Sequence, residues 1–102
     1  DGRYVLKRLK QYNGIAEQSN NKEILDAILL LARTEGIFTE PAGGVSVAVL
    51  KKMVEDGKID RDETTVCYVT GNGLKATESL MEVLPKPQVM QADVAKILAV
   101  VK

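Results

Sequence analysis

The segment from residue 22 to residue 35 predicts a helix whose apolar side chains cover most of its circumference and not just one stripe. These side chains are Ile24, Leu25, Ile28, Leu29, Leu30, Leu31 and Ala32. Such a helix has to be buried on nearly all sides. A chain of 102 residues can bury only roughly 60–70% of its unfolded surface. We therefore expect an α/β protein in which this helix packs against more sheet than the chain itself supplies.

Composition and charge exclude several classes of function. Acidic and basic residues balance at 14 each, so no overall field would draw the chain to nucleic acid or to an anionic membrane. No apolar run approaches the roughly 18–20 residues that span a bilayer, and no signal peptide is visible, so we expect a cytoplasmic protein. The chain has no histidine, which removes the commonest general base and most zinc sites. Chemistry must then come from carboxylates, lysines, hydroxyls or a cofactor, and no metal site is expected.

Two further helices are predicted before residue 58. Asp1 can cap a helix over residues 2–12, and Asn20 with Glu23 has the spacing of a capping box for the helix of residues 22–35. Pro41 suits the first turn of a helix that ends at Asp56-Gly57. Its first turn contains Gly43 and Gly44, each of which costs roughly 1 kcal/mol relative to alanine. We therefore expect a neighbouring group to approach these glycines closely.

The segment Thr64 to Thr70 is rich in β-branched and apolar residues and predicts a buried strand. It contains the single cysteine, Cys67, which is therefore expected to be a buried structural thiol. The strand leads into Gly71-Asn72-Gly73, a turn at the carboxyl end of a strand, where open α/β sheets place their ligands. A helical stretch over 75–84 and a final helix capped by Asp93 follow.

Three segments, in this order, resemble the threonine synthase family. They are Glu-Gly-Ile-Phe-Thr-Glu-Pro-Ala-Gly-Gly at 35–44, Asp-Gly-Lys-Ile-Asp at 56–60 and Val-Thr-Gly-Asn-Gly-Leu-Lys at 69–75. The resemblance covers residues 1–76, which would form the C-terminal portion of a catalytic domain, and leaves 77–102 as a C-terminal extension. It departs from the family at Ala76, where an aspartate is more usual.

The resemblance implies a lyase of threonine biosynthesis that depends on pyridoxal phosphate (PLP). Its fold would be the tryptophan-synthase-like one, a three-layer α/β/α open sheet with few strands in this part of the chain. The family converts O-phosphohomoserine and water to threonine and phosphate, commonly as a homodimer, with the cofactor in a cleft between two domains. The partners implied are thus the upstream remainder of the enzyme and a small amino-acid substrate.

The resemblance also implies which residues face the cofactor. The implied set is Thr70, Gly71, Asn72, Gly73, Glu40, Ala42 and Gly43. The Thr70 hydroxyl would contact the pyridine nitrogen, and a neutral partner there moderates the cofactor as an electron sink. The lysine that binds the cofactor covalently and the loop that holds its phosphate would lie upstream. We therefore assign no catalytic residue and expect the isolated chain to be inactive.

Two other functions stay open at this point. The chain could be a free-standing interaction or regulatory domain that lacks the chemistry, or part of a PLP-dependent threonine or serine dehydratase. Dehydratases more typically place serine near the pyridine nitrogen, so Thr70 favours the synthase. A nucleotide site is rejected, because the glycines before Lys75 lack the Walker spacing and no Ser or Thr follows the lysine.

Overall fold

The computed structural model describes residues 1–81 and 83–101 and is helical over much of that range. Its α-helices are α1 (Gly2–Gln11), α2 (Asn21–Glu35), α3 (Pro41–Glu55) and α4 (Val94–Val100). Short 3₁₀ helices span Gly73–Lys75 and Thr77–Leu80.

The core of the described chain lies where α2 packs against α3. Ala27 and Ile28 are buried on α2, and Ala48 is buried on α3. Gly44 lies at the crossing: a Cβ built there would be 2.7 Å from Ile28 Cγ1 and 3.1 Å from the Ile24 carbonyl oxygen. The predicted close approach to the glycines of α3 is therefore confirmed, and α2 is the neighbour at Gly44.

The local signals at helix ends are mostly confirmed. The Asn20 side chain accepts a hydrogen bond from Glu23 N at 3.0 Å, and the Glu23 carboxylate accepts one from Asn20 N at 2.7 Å. Gly36 ends α2 in the left-handed conformation with φ at 68°, as glycine at this position permits. The cap predicted for α1 is wrong in one respect, because the Asp1 side chain forms no capping hydrogen bond.

The predicted strand over residues 64–70 is not present. Among the described residues no strand is assigned, and the β-structure consists of a single antiparallel bridge between Thr39 and Asn72. A strand exists only through hydrogen bonds to a neighbour, and this segment finds none within the described chain. As a consequence Cys67 is half-buried and free, not fully buried as predicted.

The region after residue 75 also differs from the prediction. Among the described residues, the short 3₁₀ helix Thr77–Leu80 takes the place of the helical stretch expected over 75–84, and only Leu80 in this region is a buried apolar side chain. The final helix is confirmed, since Asp93 Oδ1 accepts hydrogen bonds from Ala95 N at 2.9 Å and Lys96 N at 3.4 Å. Glu82 and Lys102, which belong to the predicted helix and tail, lie outside the described residues.

The described chain is extended for its length and leaves much apolar surface exposed. Its radius of gyration is 18.7 Å, whereas a compact domain of this length would have one of roughly 13 Å. Helix α1 buries no residue, although Tyr4, Val5 and Leu6 lie on it. Over residues 1–81 and 83–101, no helix combines the length and the apolar character needed to cross a membrane.

Candidate functional site

The segment that precedes α3 pairs with the glycine turn that follows residue 70. The antiparallel bridge joins Thr39 to Asn72. Gly73 N donates to the Phe38 carbonyl at 3.1 Å, and Glu40 N donates to the Gly71 carbonyl at 3.4 Å. Residues 38–40 and 71–73, far apart in the sequence, thus form one small unit at the beginning of α3. We call this unit the bridge.

Thr39 lies at the centre of the bridge and is 1% exposed. Its hydroxyl donates a hydrogen bond to the Gly71 carbonyl oxygen at 3.1 Å. Gly43, in the first turn of α3, leaves space for this hydroxyl, because a Cβ built on Gly43 would overlap Thr39 Oγ1. Gly43 therefore packs against Thr39 inside the bridge.

Gly71 has a φ of 78°, a backbone conformation that residues with a side chain rarely adopt, so this position favours glycine. It also requires glycine on steric grounds, because the Glu40 carboxylate occupies the place where its Cβ would lie. Glu40 Oε2 in turn forms an ion pair with Lys75 Nζ at 3.1 Å. The Glu40 side chain is 20% exposed and the Lys75 side chain 66%, so the pair lies at the surface of the bridge.

The remaining turn residues are held by short-range contacts. Gly73 lies against the Phe38 ring, and a Cβ there would be 2.5 Å from Phe38 Cζ. Asn72 Oδ1 accepts a hydrogen bond from Leu74 N at 2.9 Å and so begins the following 3₁₀ helix. Its side-chain oxygen is therefore engaged within the turn.

Thr70 precedes this turn, and its hydroxyl forms no hydrogen bond with another of the described residues. It is exposed, as is Ala42 in the first turn of α3. A hydroxyl can both donate and accept a hydrogen bond, so Thr70 offers a ligand either function. An exposed hydroxyl beside a firmly held turn is a group that an incoming ligand could use.

The structure brings most of the predicted site residues together. Gly71, Asn72, Gly73 and Glu40 lie in the bridge, Gly43 packs against it, and Thr70 and Ala42 flank it. Whether they face a cofactor stays a prediction.

Phe38 and Thr39 also belong to the bridge, and Lys75 pairs with Glu40 at its surface; none of the three was among the predicted site residues. The available signal for Thr39 was a hydroxyl residue two positions before the proline that begins a helix, but its partner lies 32 residues away.

No cluster of three or more potential metal-binding side chains occurs in the part of the chain that the structure describes. The chemistry available at the bridge is that of one exposed hydroxyl, one carboxylate with its lysine partner, and backbone groups.

Comparison with known proteins gives two results. The profile of a family described as "Pyridoxal-phosphate dependent enzyme" matches residues 1–71, which include the bridge up to Gly71. Several characterised proteins are also similar to the chain. The threonine synthase of Methanocaldococcus jannaschii is 44% identical over 98 residues, which are 96% of this chain and 24% of that protein.

Two further relatives are also named threonine synthase. The threonine synthase of Methanosarcina acetivorans is 44% identical over 93 residues, covering 91% of this chain and 23% of that protein. The threonine synthase of Halalkalibacterium halodurans is 38% identical over 91 residues, covering 88% of this chain and 26% of that protein. The chain thus spans about a quarter of the length of the relatives it matches.

Proposed function

Because this chain belongs to the family of pyridoxal-phosphate dependent enzymes, we propose that it forms the C-terminal part of a threonine synthase. The reaction of the complete enzyme is the conversion of O-phosphohomoserine and water to threonine and phosphate. The names of its relatives support this proposal, and so does the order of the three sequence segments quoted above.

The observation that carries the proposal is the exposed Thr70 hydroxyl beside the bridge. PLP has a pyridine nitrogen that needs one hydrogen-bonding partner, and a hydroxyl without a partner in the described residues fits that need. When bound, PLP supplies a ring that accepts electrons from the substrate. Thr70 would orient the ring and keep its nitrogen beside a neutral group.

The other site residues would act through shape and position. Gly71, Asn72 and Gly73 would carry the backbone past the ring, since the bridge fixes the course of this turn. Glu40, Ala42 and Gly43 would line the same side, at the beginning of α3. The exposed Ala42 would contact the cofactor side directly, whereas the buried Gly43 would act by leaving space for Thr39.

We propose further that the chain completes an α/β/α layered fold with the upstream part of the enzyme, which works as a homodimer. The exposed apolar residues of 64–70 support this: Val66 is 73% exposed and Tyr68 79%. An exposed segment of this composition is what a sheet strand looks like without its neighbours. The isolated chain would be inactive, because the covalent lysine and the phosphate loop would come from upstream.

The proposal is tested in the full-length protein that carries this sequence, with Thr70→Val and Thr70→Ser. We expect the wild type to release phosphate from O-phosphohomoserine. Thr70→Val keeps the size of the side chain but removes the hydroxyl, so cofactor affinity should fall roughly tenfold and the absorbance of the bound cofactor should shift. Thr70→Ser retains the hydroxyl and should stay near the wild type.

The experiment can refute the proposed reaction and the proposed role of Thr70 separately. A wild-type protein that deaminates threonine or serine and leaves O-phosphohomoserine intact would refute the synthase in favour of a dehydratase. Equal cofactor affinity and spectrum in wild type and Thr70→Val would refute the role of Thr70.

A further inference from the structure

We infer that Thr39 is a positioning residue for the cofactor site, because its buried hydroxyl holds the Gly71 carbonyl and thereby sets the direction of the Thr70 side chain. This inference rests on the proposed role of Thr70. Thr39 itself would touch neither cofactor nor substrate.

The first support is the burial of the Thr39 hydroxyl. Thr39 is 1% exposed, so its hydroxyl is shielded from water, and the hydrogen bond that it donates to the exposed Gly71 is partly buried. The other side-chain link in the bridge is the pair between Glu40 and Lys75. That pair is partly exposed at the lysine, and an exposed ion pair fixes geometry only weakly.

The second support is the freedom of the residue that Thr39 restrains. Gly71 follows Thr70 directly, and glycine has more backbone freedom than any other residue. Without a restraint on Gly71, the Thr70 side chain could swing through a wide range of directions. The Gly71 carbonyl accepts hydrogen bonds from the Thr39 hydroxyl at 3.1 Å and from Glu40 N at 3.4 Å, so it is held from two sides.

The third support is the space provided for this hydroxyl. A Cβ on Gly43 would overlap Thr39 Oγ1 and would also come within 3.2 Å of Thr39 Cγ2. The glycine costs helix stability in the first turn of α3, roughly 1 kcal/mol relative to alanine. The absence of a side chain at Gly43 thus leaves room for the Thr39 hydroxyl, and this hydroxyl in turn holds the Gly71 carbonyl in the turn.

The experiment compares Thr39→Val with Thr39→Ser in the full-length protein. Valine keeps the branched shape without the donor, and serine keeps the donor without the methyl group. We expect Thr39→Val to weaken cofactor binding roughly fivefold and to shift the absorbance of the bound cofactor, with an unfolding midpoint of the cofactor-free protein close to that of the wild type. Thr39→Ser should restore both affinity and spectrum. Thr39→Cys, which donates only weakly, takes the place of Thr39→Val if that variant does not fold.

A double substitution then distinguishes positioning from general packing. If Thr39 acts through Thr70, adding Thr39→Val to Thr70→Val should cause no further loss of cofactor affinity. A second full loss in that background would overturn the inference, as would a wild-type spectrum and affinity in Thr39→Val alone. These readouts measure cofactor binding, so they stand even if the substrate is not O-phosphohomoserine.

Discussion

At the scale of single residues, a network of charged groups lies away from the bridge, around Glu17. Its carboxylate accepts a hydrogen bond from Gln18 N at 3.0 Å and lies 3.1 Å from Lys58 Nζ and 3.5 Å from Lys52 Nζ. The amide hydrogen bond of Gln18, then the one from Lys58, and then the charge of Lys52 lower the pKa of Glu17 from 4.5 to about 2. Glu17 thus ties the segment before α2 to the end of α3.

This arrangement predicts an acid-sensitive contribution to stability. The folded pKa of Glu17 lies below its ordinary value, so its contribution is complete above pH 4.5 and is lost as the pH falls toward about 2. We expect Glu17→Gln to flatten the dependence of the free energy of unfolding on pH within that window. The measurement is urea unfolding of the full-length protein at a series of pH values.

Lys58→Gln serves as the partner control. It removes one cause of the lowered pKa but leaves the Gln18 amide and Lys52, so its slope should lie between those of the wild type and Glu17→Gln. Identical acid slopes in all three proteins would contradict the role of Glu17. The pKa of Lys58 is raised by hydrogen bonds to Glu17 and Asp56. Its contribution to the free energy of unfolding should therefore be lost as the pH rises into the alkaline range.

At the scale of elements, the crossing of α2 and α3 depends on the absence of a side chain at Gly44. A methyl group there would meet Ile28 Cγ1 at 2.7 Å and Ile24 Cγ2 at 3.0 Å, and also the Ile24 carbonyl oxygen at 3.1 Å. The isoleucine side chains could adjust, but the carbonyl belongs to the α2 backbone. The helices would have to move apart.

We therefore expect Gly44→Ala to destabilise the full-length protein by roughly 1–3 kcal/mol, the range typical of overpacking. Gly2→Ala is the matched control, because Gly2 also lies in a first helical turn but has no atom within 4 Å of its added Cβ. That control should be neutral or slightly stabilising. Urea unfolding measures both, and equal stability of the two variants would contradict the close crossing.

At the scale of the whole molecule, the described chain looks like part of a larger fold. Helix α1 buries no residue, α2 meets mainly α3, and the segment 64–70 has no partner strand in the described residues. Three faces therefore lack the neighbours that their composition requires.

The isolated chain should therefore bind a hydrophobic dye and unfold without a cooperative transition. The same chain produced together with the upstream part of the protein should lose the dye signal, because its apolar faces would then be covered. Dye fluorescence and a thermal melt measure both states. A cooperative melt of the isolated chain, with no dye bound, would instead support the free-standing domain.

Sequence signals that act within one turn of helix predicted the structure well. The capping box of Asn20 and Glu23 and the proline that begins α3 each involve residues a few positions apart. Their outcome depends little on the rest of the molecule. The glycines Gly43 and Gly44 also predicted a close approach, although the sequence could not say which groups would approach them.

The prediction of a strand over 64–70 was wrong because a strand depends on distant parts of the molecule. It needs hydrogen-bonding partners that the described chain does not contain.

What the sequence alone determined is thus the helices α1 to α4, most of the signals at their ends, and the order of motifs that indicates a PLP enzyme. What only the tertiary structure decided is the bridge: that Thr39 is buried, that its hydroxyl meets Gly71, and that Glu40 fills the place of the missing Gly71 side chain. The physical reason is distance along the chain. Helix signals act over three or four residues, whereas Thr39 and Gly71 are 32 residues apart and meet only because the folded chain brings them together.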